Sequence, residues 1–190
     1  MATQPEQAGR RRDSAATQRA LLDAAAKLFA ERGFDRTTVR DIAGQAGVNQ
    51  ALLFRYFGSK DALFEAVLAR DGREQLATTP PERLFSASLR SMLAPEGPRN
   101  RTLEAYLRSS GSDGAAAAIR QEIGEEYARV LATLTDEPDA GLRADLALAW
   151  LMGIALVREV SGKEPLAGAD PDDICRLVLT ATRTLLERAE

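Results

Sequence analysis

Apolar residues recur at helical spacing along almost the whole chain. In the first such segment, at about residues 14–32, they occupy positions i, i+4, i+7 and i+8, which form one face of a helix. These residues are Leu21, Ala25, Leu28 and Phe29. Comparable patterns predict a helix at about residues 38–47 and a short third helix that begins at residue 49. Further helices are predicted at about 59–70, 81–93, 100–110, 114–134, 140–160 and 170–190. No stretch alternates with a period of two, so the chain is predicted to be all-α with about nine helices.

Short-range signals mark the boundaries of the first three helices. Gly33 and Gly47 each follow a last apolar turn, as glycines at helix ends commonly do. Thr38 and Asp41 are three residues apart and form a variant capping box. Asn49 is a favourable N-cap for the helix that follows. The second and third helices are therefore predicted to be short and to meet in a tight turn.

The segment at residues 39–56 has the pattern of a helix-turn-helix. Ala43 is small, which allows two crossing helices to approach closely, and Gly47 tolerates the positive φ that the tight turn requires. Apolar residues suited to a small core between the helices are Ile42, Ala46, Val48, Leu53 and Tyr56. The same spacing also fits a plain helical hairpin with a glycine turn, so the flanking residues have to decide.

Those flanks resemble the DNA-binding domain of the TetR family of transcriptional regulators. The matching runs are DIA at residues 41–43, AGV at 46–48 and FRYFGSKDAL at 54–63, and the likeness covers about residues 14–70. The resemblance implies a three-helix helix-turn-helix domain at residues 14–60. It also implies a helical ligand-binding and dimerisation domain at 61–190.

The resemblance implies specific DNA contacts. Thr38, Tyr56 and Lys60 match positions that meet phosphates, and Arg40 matches one that reaches a base or a phosphate. The third helix is the recognition helix, in which Arg can bond guanine, Gln adenine, and Ala can pack on a thymine methyl. The predicted DNA-binding residues are Thr38, Arg40, Asn49, Gln50, Ala51, Arg55, Tyr56 and Lys60. Phe54 departs from the family pattern, which commonly has tyrosine there, and Ala51 replaces a frequent glycine.

Taken one at a time, these residues also have ordinary interpretations. Arg40 and Arg55 are compatible with solvated surface charges, and Tyr56 with a core position. Charge along the chain favours a polyanion partner, since residues 1–60 carry ten basic and six acidic residues while the whole chain has a net charge of −3. Residues 1–13 contain few apolar side chains and are predicted to form a flexible basic arm. Their cluster at residues 10–12 could enter a minor groove.

The remaining chain supplies candidates for a ligand pocket and a dimer interface, although aromatic residues and apolar stripes at helical spacing are also typical of a monomer core. The resemblance implies that the last two helices of each subunit form a four-helix interface. The candidate pocket residues are Leu103, Tyr106, Leu107, Tyr127, Leu131, Trp150 and Ile154. The candidate interface residues are Leu146, Val157, Ile174, Leu177, Val178, Ala181 and Leu185.

Composition excludes several kinds of chemistry. The chain has one cysteine, Cys175, and no histidine, which excludes Cys/His zinc sites and every catalytic triad with a histidine base. No metal site, cofactor or catalytic residue is predicted. The longest apolar run, residues 146–157, is too short to span a bilayer, so a cytoplasmic protein without a membrane partner is expected. The resemblance implies a repressor that a small-molecule effector releases from DNA. The alternatives left open are an all-α enzyme that uses carboxylates, a helical adaptor that binds protein, and a regulator that activates instead of repressing.

Overall fold

A computed structural model describes residues 5–93 and 114–190, and within these ranges the chain is helical with no strand. The eight helices are α1 (Pro5–Arg32), α2 (Val39–Ala46), α3 (Gln50–Phe57), α4 (Lys60–Thr78), α5 (Pro81–Leu93), α6 (Gly114–Ala132), α7 (Ala140–Leu156) and α8 (Pro171–Thr182). A π-helical turn, Val157–Ser161, continues α7. The all-α prediction is confirmed. The helix predicted at 100–110 lies outside the described residues.

The chain divides into two compact units. The N-terminal unit contains the described residues up to Leu68 and the start of α6 as far as Ile119. The C-terminal unit contains the described residues from Ala69 to Leu93 and from Arg120 to Glu190. The division falls within α4 and again within α6, so each of these two helices contributes residues to both units.

Three phenylalanines form the aromatic centre of the N-terminal unit. The rings of Phe29, Phe34 and Phe64 have centroids 4.9–5.6 Å apart, and each residue is at most 5% exposed. Edge-to-face and offset contacts at these distances add to the stabilisation that the buried area provides. Helix α2 packs against α1 and α3, which places the short helices directly on this core.

Helix α5 is the centre of the C-terminal unit. Its Leu84, Phe85, Leu89 and Leu93 are at most 1% exposed, and α5 packs against both α7 and α8. Further buried members of this core are Leu131, Leu134, Ala144, Ala147, Leu151, Ile174, Cys175, Leu186 and Ala189. Both α7 and α8 therefore turn one side towards α5.

Three helix ends differ from the prediction. Helix α1 begins at Pro5 rather than near residue 14, so residues 5–13 extend the helix instead of forming a flexible arm; proline is favoured in a first helical turn. Helix α4 continues to Thr78 rather than ending near residue 70. It passes through Gly72, where a Cβ atom would lie 3.2 Å from Ile123, so the glycine allows a close approach of α6.

Helix α8 ends at Thr182, although the prediction extended it to residue 190. The segment after it folds back onto its own unit, with the Arg188 N–H donating to Leu134 O at 3.1 Å and the Glu190 N–H to Glu82 O at 2.7 Å. These bonds bury Leu186 and Ala189 in the core. Tertiary contacts, rather than a glycine or proline, therefore terminate this helix.

Candidate nucleic-acid interface

The predicted capping box at the start of α2 is confirmed. The Asp41 N–H donates to Thr38 Oγ1 at 3.1 Å, and the Thr38 N–H donates to Asp41 Oδ2 at 2.9 Å. The Thr38 hydroxyl donates to the same oxygen at 2.6 Å. These hydrogen bonds from Thr38 lower the pKa of Asp41 from its ordinary 3.8. Both donors predicted to meet a phosphate, the amide and the hydroxyl of Thr38, are thus bonded to Asp41 in the free protein.

The turn between α2 and α3 is held by backbone geometry and one side chain. Gly47 has φ +68°, the left-handed conformation that glycine adopts without penalty, and the Val48 N–H donates to Ala43 O at 3.0 Å. Asn49 is the N-cap of α3, because its Oδ1 accepts a hydrogen bond from the Ala51 N–H at 2.8 Å. Asn49 therefore orients α3, whatever contact it makes with DNA.

Buried residues fix which side of α3 faces outwards. Leu53 of α3 and Ile42 of α2 are 0% exposed, and Ala43 is 3% exposed, which matches the close helix crossing predicted from the sequence. The opposite side of α3 is exposed and forms what we call the reading face. The reading face consists of Gln50, Ala51, Phe54 and Arg55.

Three of the four reading-face residues were predicted as DNA contacts, and Phe54 was not. Its side chain is 51% exposed. The spacing in the sequence could have identified it, because Phe54 follows Gln50 by four residues and Ala51 by three, which places all three on one helix face. Beside it, the Arg55 guanidinium carbon lies 5.9 Å from the centroid of the half-buried Tyr56 ring, within the range of a cation–π contact. Arg40 of α2 is also exposed.

Lys60, at the start of α4, reaches the loop between α1 and α2. Its Nζ donates to Phe34 O and to Thr37 O, both at 2.8 Å, and lies 4.0 Å from the centroid of the Phe34 ring. Thr37 is fully buried, and its hydroxyl donates to Gly33 O at 2.8 Å. We call this set of contacts the Lys60 clamp. The Lys60 clamp holds the loop that leads into Thr38. This structural role of Lys60 was not predicted from the sequence.

The structure brings together only part of the predicted ligand pocket. Leu131 is buried in the C-terminal core, and Tyr127 and Ile154 are half-buried against that core. Trp150 is 38% exposed, so part of its side chain reaches the surface of α7. Leu103, Tyr106 and Leu107 lie outside the described residues.

Tyr127 provides a half-buried polar group in this region. Its hydroxyl lies 2.8 Å from Gln75 Oε1 and 3.2 Å from Gly72 O, both on α4, and Gln75 Nε2 donates to Ser88 Oγ of α5 at 3.4 Å. Burial raises the pKa of Tyr127 to about 12, opposed by a smaller lowering from a hydrogen bond with Ser88. The phenol therefore stays protonated at physiological pH, with its hydroxyl directed at acceptors on α4.

The predicted interface residues separate into two groups. Ile174 is 5% exposed and belongs to the core of its own unit, because the side of α8 that carries it faces the core; it is therefore not available for an interface. Val178 and Leu185 are half-buried against that core, and Val157 is also half-buried. The exposed members are Leu146, Leu177 and Ala181.

Further exposed apolar residues lie on α7. Leu142 is 61% exposed, and it stands four residues before Leu146 and eight before Trp150. This i, i+4, i+8 spacing places the three side chains on one face of α7. Leu156 is exposed as well, and Leu177 on α8 is 62% exposed. Exposed apolar residues in a contiguous stripe are typical of a surface that another molecule covers.

Within the part of the chain that the structure describes, no helix combines the length and the apolar content that a bilayer crossing requires.

Comparison with known proteins assigns both halves of the chain. The family model "Bacterial regulatory proteins, tetR family" matches residues 21–67, and "Tetracyclin repressor-like, C-terminal domain" matches residues 81–186. The HTH-type transcriptional repressor Rv3405c of Mycobacterium tuberculosis is 32% identical over 179 residues, which cover 88% of each chain.

Two solved structures share the fold. A transcriptional regulator from Rhodococcus sp. Rha1 matches with a TM-score of 0.61 at 23% identity, over 90% of this chain and 96% of that one. SmeT, solved as a complex with triclosan, matches with a TM-score of 0.58 at 22% identity, over 89% and 90%. The family models and the M. tuberculosis relative together set aside the enzyme and adaptor alternatives, and the chain belongs to the TetR family of DNA-binding transcriptional regulators.

Proposed function

We propose that this regulator is a repressor that binds a near-palindromic operator as a homodimer and is released by a small-molecule effector. The observation that carries the proposal is the reading face: exposed side chains on a helix whose orientation is fixed by Gly47, Asn49 and a buried Leu53. A recognition helix must present such a face to the major groove. The M. tuberculosis relative is named a repressor, which supports repression over activation for this chain.

Each contact residue has a role in this proposal. Gln50, Ala51 and Arg55 read base edges, since their amide, methyl and guanidinium groups suit adenine, thymine and guanine. Tyr56 and Arg40 contact phosphates of the DNA backbone. Thr38 contacts a phosphate as well, through the amide and hydroxyl groups that are bonded to Asp41 in the free protein. The Lys60 clamp positions the loop before Thr38. Such a protein acts where the chromosome is, in the cytoplasm.

Selection from a random pool of duplex DNA tests the DNA-binding proposal. We expect enrichment of a near-palindrome, because each subunit of a two-fold dimer supplies one recognition helix. Arg55→Ala should weaken binding to the selected duplex by about 1–3 kcal/mol and relax the preference at one position in each half-site. A pool that shows no enrichment with the wild-type protein would contradict the proposal.

Exposed apolar residues on α7 and on α8 support the homodimer. Leu177→Asp places a carboxylate on the exposed side of α8 while changing a residue that is already 62% exposed, so the subunit should fold normally. We expect the wild-type protein to sediment as a dimer at micromolar concentration and Leu177→Asp as a monomer. Arg176→Asp is the control, because it adds the same carboxylate about 100° around α8 and otherwise removes an exposed ion pair with Asp173, which contributes little to stability. A variant at Leu177 that remains dimeric would refute this interface.

The half-buried phenol of Tyr127 and its apolar surroundings support an effector that is apolar or amphipathic. The SmeT complex with triclosan shows that a protein of this fold binds such a molecule. Helix α4 contributes Lys60 to the N-terminal unit and Gln75, which bonds Tyr127, to the C-terminal unit. Thermodynamic linkage requires the effector to weaken operator binding by the same factor by which the operator weakens effector binding. Equal effector affinities with and without operator would rule out this mode of release.

A further inference from the structure

Phe54 is exposed although its chemistry favours burial. The other five phenylalanines of the chain are buried or half-buried, whereas Phe54 is 51% exposed. Leaving a phenylalanine side chain in water forgoes the stabilisation that its burial would give. The ring contributes no hydrogen-bond donor or acceptor, so it cannot serve a phosphate as a tyrosine hydroxyl would. We therefore expect an apolar group of the bound DNA to cover this ring on the recognition helix.

Helical geometry places Phe54 in the middle of the reading face. With about 100° per residue, Phe54 lies about 40° around the axis from Gln50, and Ala51 lies about 60° further on. Ala51 is exposed next to it, so the two form an apolar pair between the amide of Gln50 and the guanidinium of Arg55. The capped start of α3 and its buried Leu53 keep this pair directed outwards.

We propose that Phe54, with Ala51 beside it, reads the 5-methyl group of a thymine in the major groove. The inference rests on the proposed function, in which α3 enters that groove. Among the four standard bases, thymine alone presents a methyl group there, and apolar side chains recognise it by contact. Phe54 is then a specificity-determining residue: it selects thymine at one position of each half-site and contributes nothing to the salt dependence of binding.

The test replaces thymines of the selected operator by deoxyuridine, one symmetric pair at a time. This change deletes the methyl group and keeps base pairing. We expect wild-type binding to weaken about fourfold per half-site at one position, which is the effect of leaving one methyl group unburied, and to be unchanged elsewhere. In Phe54→Ala, the discrimination between the thymine and deoxyuridine duplexes at that position should fall well below fourfold, because only Ala51 remains to contact the methyl group. Phe54→Tyr, which keeps the ring, should retain the discrimination.

The outcomes separate the inference from the function on which it rests. If the wild-type protein enriches an operator but binds every deoxyuridine duplex as tightly as the thymine duplex, the inference fails and the DNA-binding proposal stands. If Phe54→Ala remains as sensitive to the methyl group as the wild type, another residue reads it, and the inference fails as well. If no duplex is enriched at all, the proposed function itself fails. Because Phe54 is exposed, its variants should keep the wild-type fold.

Discussion

Replacing Lys60 by methionine tests whether the Lys60 clamp acts as we infer. Methionine keeps an unbranched side chain but loses the ammonium group, its two hydrogen bonds of 2.8 Å and its position over the Phe34 ring. A hydrogen bond from a charged donor contributes about 1.5–3 kcal/mol, and an exposed cation–π contact about 0.5–1 kcal/mol. Because Lys60 is half-exposed and water can replace part of these contacts, we expect a local loss of about 2–3 kcal/mol.

Hydrogen exchange followed by mass spectrometry measures this loss directly. Each 1.4 kcal/mol is a factor of ten, so amides in peptides covering residues 33–38 should exchange about 30- to 150-fold faster in Lys60→Met. Amides of α8 serve as the internal control and should be unaffected. Operator binding should weaken while the slope of affinity against salt stays the same, since no phosphate contact is removed. Unchanged exchange together with a slope reduced by about one would refute the clamp and assign Lys60 to a phosphate.

Two further predictions concern pH. Ultraviolet titration of the three tyrosines should show one phenol ionising near pH 12, since burial raises the pKa of Tyr127 to about 12. Its contribution to stability is complete below the ordinary pKa of 10 and is lost between pH 10 and about 12. Tyr127→Phe should remove the titration step near pH 12, and a wild-type protein without that step would contradict the prediction. Hydrogen bonds from Thr38 lower the pKa of Asp41, so capping-box stabilisation is present above pH 3.8 and is lost as the pH falls below it. Asp41→Asn should abolish this acid-side dependence of hydrogen exchange in α2, and an unchanged dependence would exclude Asp41 as its source.

The helix-turn-helix could be predicted from sequence because its determinants are local. The capping pair of Thr38 and Asp41, the turn at Gly47 and the cap at Asn49 each act within three or four residues. Such signals depend little on the rest of the fold. For the same reason the start of α5 at Pro81 matches the prediction.

The structure differs from the prediction where contacts between residues distant in sequence determine a helix end or the burial of a side chain. Gly72 weakens a helix locally, yet α4 continues through it because the missing side chain lets Ile123 approach closely. The apolar residues of α7 surround the helix, so the sequence could not show which of them faces α5. Trp150 was consequently predicted to lie in a pocket and is exposed. Ile174 was predicted in an interface and is buried.

The helix-turn-helix separates the residues that maintain its shape from those that meet a partner. The side chains that form the buried crossing and the caps are not those of the reading face, and the side chains of the reading face contribute little to the folded core. Substitutions at exposed positions of this kind typically change stability by less than about 0.5 kcal/mol. Gene duplicates of such a regulator can therefore diverge in operator preference without first losing the fold. The same separation makes α3 a suitable place to engineer regulators that recognise different operators within one cell.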